Sequence, residues 1–236
     1  MKTWTTGNGI TITRVLEGRS NVFLVEGKAT RILVDTCTAK YRKKLDSRLK
    51  AMGISTIDYL VLTHAHFDHA SNAAFIKSEY NARVLIHCDE SAFLEKGENV
   101  RPRGTNPFID AIVRPLGKLY MRSARYEPCT PDVMADESFV FQGEDQLIRI
   151  VHTPGHTQGS VSLIVDNEIA ITGDAMFGVF PNRIMPPFGN DIKEIVISWG
   201  RLLDSGCRIF LPSHGSERTM AVVERNFSAF KNKMLI

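Results

Sequence analysis

Thr63-His64-Ala65-His66-Phe67-Asp68-His69 places three imidazoles and a carboxylate within six consecutive positions. The run follows Tyr59-Leu60-Val61-Leu62, a short apolar stretch that reads as a strand. In extended chain, residues two apart face the same way, so His64 and His66 can converge on one ion. If the chain then turns into a helix, Asp68 and His69 stand at its start and face a second point a short distance away. Nitrogen and carboxylate donors of this kind suit zinc, and also iron or manganese.

Three further candidates share the same context. His156 lies in Pro154-Gly155-His156-Thr157-Gln158-Gly159-Ser160, Asp174 in Thr172-Gly173-Asp174, and His214 in Pro212-Ser213-His214-Gly215. Each follows an apolar stretch that reads as a strand: residues 146–151, 169–172 and 208–211, with another strand expected at 161–165. Donors carried on loops after strands can gather at one sheet edge. Earlier in the chain, strands are expected at 10–16, 21–25, 31–34 and 83–86. Helices are expected from Tyr41 to Met52, over 69–79, along Ile109, Ile112, Val113, Leu116 and Tyr120, over 191–204 and over about 217–234. The spacing of Asp191 and Glu194 is that of a capping box. Two strand-rich halves, each ending in helices, put sheets inside and helices outside, an α/β arrangement. No linker or short-period repeat divides the chain, so residues 1–236 are read as one domain.

Composition narrows the function classes. Of 236 residues, 43% are hydrophobic and 23% charged, ordinary values for a globular chain. Lys plus Arg is 29 and Asp plus Glu is 26, a net charge of +3, so no global field calls for nucleic acid or an anionic membrane as partner. No uninterrupted apolar run is long enough to span a bilayer, and Met1-Lys2-Thr3-Trp4 opens no signal-peptide core. The four cysteines, Cys37, Cys88, Cys129 and Cys207, form no C-x-x-C pair. The expectation is a cytoplasmic protein with reduced cysteines and a small-molecule substrate.

With these motifs in view, the chain resembles the metallo-β-lactamase-fold proteins. The resemblance rests on Thr63–His69, Gly155-His156-Thr157, Gly173-Asp174 and His214, with Asp35 at the end of an early strand. It implies a four-layer αβ/βα sandwich with metals at one edge. It also implies that His64, His66 and His156 hold one ion and Asp68, His69 and His214 a second. Asp174 would bridge the two, and Asp35 would orient a ligand imidazole. The chemistry implied is hydrolysis by a hydroxide held between two divalent ions, with Asp68 steering it or relaying a proton.

Asp174 bears on the branch of the family. True β-lactamases generally lack a bridging carboxylate there, whereas glyoxalase II, lactonases, phosphodiesterases and persulfide dioxygenases have one. Only 22 residues follow His214, less than the helical domain with which glyoxalase II binds glutathione, and nothing resembles the tRNA-binding arm of ribonuclease Z-like enzymes. The expected activity is cleavage of an ester, thioester or lactone bond with two zinc ions, iron or manganese being other choices. A mononuclear iron dioxygenase of the persulfide type, using the equivalents of His64, His156 and Asp174, is the alternative. A binding or scaffold protein that keeps its metals for stability is the third reading.

The loop over 175–190, rich in Phe, Pro and Gly, follows Asp174 and is expected to line an apolar pocket, to pack down, or to form a subunit interface of a homo-oligomer. Arg114, Lys118, Arg122 and Arg125 fall on one helical face, a basic rim or a solvated surface. His87, His152 and Cys37 are read as structural.

Overall fold

The fold follows from how strands divide their side chains between two faces. A computed structural model describes residues 1–101, 103–106, 108–111, 124–143 and 147–234. The first half forms a seven-stranded sheet in sequential order. Its strands are β1 (Lys2–Thr5), β2 (Thr11–Glu17), β3 (Asn21–Glu26), β4 (Arg31–Val34), β5 (Tyr59–Val61), β6 (Arg83–His87) and β7 (Val133–Ala135). The strands β1 to β4 pair antiparallel, and β4 to β7 pair parallel, with crossovers through α1 (Arg42–Ala51), α2 (Phe67–Ala70), α3 (Ala73–Tyr80) and α4 (Cys88–Lys96).

The second half forms a six-stranded sheet of β8 (Ser138–Val140), β9 (Ile148–His152), β10 (Val161–Val165), β11 (Ile169–Gly173), β12 (Ile209–Pro212) and β13 (Arg218–Thr219). It carries α5 (Ile192–Asp204) and α6 (Met220–Met234). The parallel β11–β12 pair is bridged by α5.

Alternation assigns the layers. In β3, Val22 and Leu24 pack towards α1 and α3, while Phe23 and Val25 join the core between the sheets. In β10, Val161, Leu163 and Val165 enter that central core, while Ile164 packs with Val196, Trp199 and Leu202 of α5. Three apolar cores therefore separate four layers, helix–sheet–sheet–helix, as the resemblance implies. Strands buried on both faces read as continuous apolar runs, which is why β3, β10 and β11 were visible in the sequence.

Several elements differ from the sequence reading. The helix expected over 69–79 is two pieces, because the Asn72 amide N–H donates to Thr36 Oγ1 and its side chain donates to the carbonyls of Thr36, Cys37 and Thr38. Those bonds take the place of helix continuity and hold the loop after β4. No helix is expected from the sequence where α4 forms after β6, and α4 ends at Gly97 in a left-handed conformation with φ +62°. Near the start of the expected helix 217–234, Arg218–Thr219 form β13, and the helix begins at Met220. The helix expected from Ile109 to Tyr120 is described only in its first turn, 108–111, and Arg114, Lys118 and Arg122 lie outside the described residues; Arg125 pairs with Glu98 at 2.6 Å. Among the described residues, no helix is long and apolar enough to cross a membrane.

Candidate metal centre

All seven candidate donors meet at one edge of the two sheets. His64 and His66 lie in the turn from β5 into α2, and Asp68 and His69 lie within α2. His156 is on the loop between β9 and β10, Asp174 immediately follows β11, and His214 follows β12. Two short backbone approaches draw these loops inwards. Gly173 has φ +54°, and a Cβ there would sit 2.8 Å from Thr63 Cβ. Gly155 has φ +123°, and a Cβ there would meet Ile195 N at 2.4 Å. Only glycine permits these contacts without strain. Helix α5 braces both loops from behind, since Ser198 Oγ donates to Pro154 O and Trp199 Nε1 donates to Ala175 O.

Around the first point, backbone carbonyls fix the ring tautomers. His66 Nε2 donates to Val100 O at 3.0 Å, and His156 Nδ1 donates to Phe188 O at 2.9 Å. The remaining lone pairs, on His66 Nδ1 and His156 Nε2, then face each other at 3.0 Å. His64 Nε2 approaches the same His66 nitrogen at 2.9 Å. Two lone pairs at that distance repel unless a cation lies among them. Nitrogens bound tetrahedrally to zinc at about 2.0–2.1 Å stand roughly 3.3 Å apart, close to this spacing.

Around the second point, His69 Nδ1 donates to Asp35 Oδ2 at 2.8 Å, which aims Nε2 inwards. There His69 Nε2 lies 3.9 Å from Asp68 Oδ1 and 3.6 Å from Asp174 Oδ1. His214 Nε2 lies 3.7 Å from Asp68 Oδ2 and 3.3 Å from Asp174 Oδ2. His156 Nε2 is 3.6 Å from that same Asp174 oxygen, so one carboxylate touches both groups. Most of these gaps are too long for hydrogen bonds and suit two ligands of one ion. His69 Nε2 and Asp174 Oδ1 are buried with no hydrogen-bond partner, the mark of donors that await an ion. The residues present therefore fit a metal centre. Three donor groupings are each close enough to hold an ion: His64–His66–His156, His64–His69–Asp174 and Asp68–His69–His214.

The electrostatics agree. Burial, reinforced by the neighbouring His156, pushes His66 down to about 3, so it stays neutral and able to ligate. Burial alone would also depress His69, but Asp35 and Asp174 outweigh it and hold the ring protonated up to about 10 in the absence of an ion. Burial would raise the Asp174 and Asp68 carboxyls, yet the surrounding imidazoles keep both below the ordinary carboxylate range. An ion arriving here meets two carboxylates already ionised.

Sequence reasoning missed the scaffold of the centre. Glu90 is buried in α4, where Oε2 accepts from Ala65 N at 2.9 Å and Oε1 from Gly159 N at 3.3 Å, so one side chain ties the His64–His66 turn to the His156 loop. Asn99 Oδ1 accepts from Phe67 N at 2.6 Å, and Tyr126 donates to Ala65 O at 2.8 Å. Arg19 Nε donates to Asp68 Oδ2 at 3.3 Å from the β2–β3 turn, with its guanidinium over the Phe67 ring, and Ser20 Oγ donates to Asp68 O. The 175–190 loop packs down in part and contacts the centre through one ring. Met176 and Ile184 are buried, Phe177 stacks on the His214 ring at 4.6 Å, and Val179, Phe180 and Phe188 are exposed. Cys37 is buried and is in none of the donor groupings.

The profile of the metallo-beta-lactamase superfamily matches residues 15–218. The chain belongs to this superfamily. It is thus a member of a metallo-hydrolase family with histidine and aspartate clusters able to hold metal. It is 31% identical over 174 residues to a probable metallo-hydrolase, MJ0888, of Methanocaldococcus jannaschii, a match covering 74% of this chain and 75% of that one. It is 24% identical over 196 residues to the acyl-coenzyme A thioesterase MBLAC2 of Gallus gallus, covering 79% and 67%. Among solved structures it is similar to TTHA1623 in a di-iron-bound form, with TM-score 0.65, 22% identity and coverage of 89% and 96%.

Proposed function

We propose that the chain hydrolyses the thioester, ester or lactone bond of a small metabolite, an acyl thioester before the others, at a centre of two divalent ions with zinc as the preferred metal. The observation that carries this reading is the Asp174 carboxylate, which comes within 3.6 Å of His156 in one donor group and of His69 and His214 in the other. His64, His66 and His156 would hold one ion, Asp68, His69 and His214 the other, with Asp174 shared. When bound, such a pair lowers the pKa of water towards neutrality and polarises a carbonyl oxygen.

The chain's own residues do the rest. Asp68, kept ionised by its imidazole neighbours, can accept a hydrogen bond from the attacking water and then take its proton. Arg19 holds the other face of that carboxylate at the mouth of the site. Phe177, beside His214, and the exposed Val179, Phe180 and Phe188 offer an apolar rim for an acyl group. The likeness to an acyl-coenzyme A thioesterase supports thioesters first.

The test couples elemental analysis of untagged protein, purified without added metal, to a panel of acyl thioesters, esters and lactones. The expected result is close to two zinc, or two other divalent ions, per chain and turnover that falls by orders of magnitude in Asp174→Ala. One iron per chain with oxygen uptake on a persulfide substrate would overturn the proposal in favour of sulfur oxidation. So would near-normal hydrolysis by Asp174→Ala.

A further inference from the structure

A separate cluster of donors sits where β6 runs into α4. His87, Cys88 and Asp136 each present a ligand atom within 4.8 Å of the others, and none of them belongs to the centre described above. His87 is buried and its ring is held from both sides. It stacks on His152 at 4.2 Å and 19°, and the Gly159 backbone presses so close that a Cβ there would lie 2.9 Å from His87 Nδ1. His152 is itself locked, its Nε2 donating to Gln158 O at 2.8 Å. Cys88, alone among the four cysteines, is exposed, and it is free. Its Sγ lies 3.8 Å from His87 Nδ1. Asp89 adds a fourth donor, with Oδ1 at 4.0 Å from that sulfur and Oδ2 at 3.8 Å from that nitrogen.

These spacings come within about half an ångström of those of ligands sharing a small ion. A nitrogen at about 2.05 Å and a sulfur at about 2.3 Å from a tetrahedral zinc stand roughly 3.5 Å apart. The present bonding of His87 Nδ1 is a weak competitor, a 3.2 Å acceptance from Asp89 N at the first turn of α4, where water can replace it. Nitrogen, sulfur and two carboxylates make a mixed set that favours zinc over magnesium or calcium.

We propose that His87, Cys88 and Asp136, completed by Asp89, form an additional divalent-cation site of the zinc type. An ion there joins the start of α4 to the β7–β8 turn, which carries Asp136. Helix α4 also carries Glu90, which holds Ala65 and Gly159, so the ion steadies the frame behind the centre without touching it. The site does not depend on which substrate the chain uses.

Cobalt(II) alone is the probe. Added to the metal-stripped full chain, it reports thiolate ligation by a sulfur-to-cobalt charge-transfer band in the near ultraviolet, which a centre of imidazoles and carboxylates cannot give. The band is expected in the wild-type protein and absent in Cys88→Ala, an exposed substitution that leaves the visible bands of the histidine–aspartate centre in place. In Asp136→Asn the band should need about tenfold more cobalt. No band in the wild type, or a band that survives in Cys88→Ala, overturns the proposal. An unchanged midpoint in Asp136→Asn also overturns it, since the thiol would then be acting without its partners.

Discussion

Asp35 fixes three segments with one carboxylate. It accepts from Thr63 N at 2.9 Å, from His69 Nδ1 at 2.8 Å and from Ser213 Oγ at 3.1 Å, so the histidine-rich turn, α2 and the His214 loop share an anchor. It does so at φ +60°, a conformation that costs a non-glycine residue about 1–2 kcal/mol but that Asp and Asn tolerate best. Asp35→Asn keeps the size and backbone preference while it can turn an amide N–H towards His69. The ring would then have to accept at Nδ1 and carry its proton on Nε2, the atom aimed at the centre. Metal affinity should drop about 10- to 100-fold with the fold retained, read by competition with a chromophoric chelator and by circular dichroism. Glu90 offers a pH signature. Burial raises its carboxyl above 4.5, against the lowering effect of bonds from Thr157, Ala65 and Gly159. The folded state therefore binds this proton more tightly than the unfolded state. That contribution is complete below pH 4.5 and is lost as pH rises through the raised folded value. In Glu90→Gln the loss is absent, so the stability of wild type relative to variant should decline across that window in urea titrations; parallel profiles would sink the idea. The donors themselves were legible because imidazoles and carboxylates at such spacing have few other uses. Glu90, Asn99 and the carbonyls of Val100 and Phe188 were not, because they act on backbone groups, and a backbone contact leaves no mark in residue type.

At the scale of elements, α5 shows what a sequence states well. Ile195, Val196, Trp199 and Leu202 form a buried stripe at helical spacing, and Asp191 accepts from Lys193 N at 2.8 Å and Glu194 N at 3.1 Å. The expected box is only half built, since the Asp191 amide N–H donates to Gly155 O at 2.9 Å and not to Glu194. That exchange binds the helix start to the loop carrying His156. Asp191→Ala should therefore cost about 1 kcal/mol in urea denaturation, the usual loss of a helix cap, with little change in turnover. Gly155→Ala should do more harm to metal binding than to folding. Its Cβ would strike Ile195 N at 2.4 Å, and relief requires the His156 loop to lift from the centre. Equal losses of metal affinity and stability in that variant would count against the local account. Elements with few residues and mixed burial were hidden from the sequence. Strand β1 is largely exposed, and β7, β8 and β13 have two or three residues each. None is long enough for a period to develop, and each exists because a neighbouring strand gives it a partner.

For the whole molecule, the donors come from both sheets. His64, His66, Asp68 and His69 follow β5 of the first sheet, whereas His156, Asp174 and His214 belong to loops of the second. The central core joins the two sheets through side chains such as Phe23, Leu85, Leu163 and Ile171. The edge where the loops meet is polar and holds buried groups without partners, so apolar packing cannot close it. An ion bound there links the two halves directly and binds only the folded chain. At a free metal concentration about 1,000 times the dissociation constant, such binding contributes ~4 kcal/mol. For a chain of this size, each kilocalorie per mole moves the melting temperature by about 2–4 °C, so stripping the metal should lower it by roughly 8–16 °C. Scanning calorimetry with and without a chelator measures the change, with elemental analysis to verify removal. Asp174→Ala, lacking the carboxylate that reaches both donor groups, should show a much smaller chelator response. A wild-type melting temperature unmoved by verified metal loss would mean that the two sheets hold the edge closed unaided, and that the convergence of donors serves chemistry without serving stability.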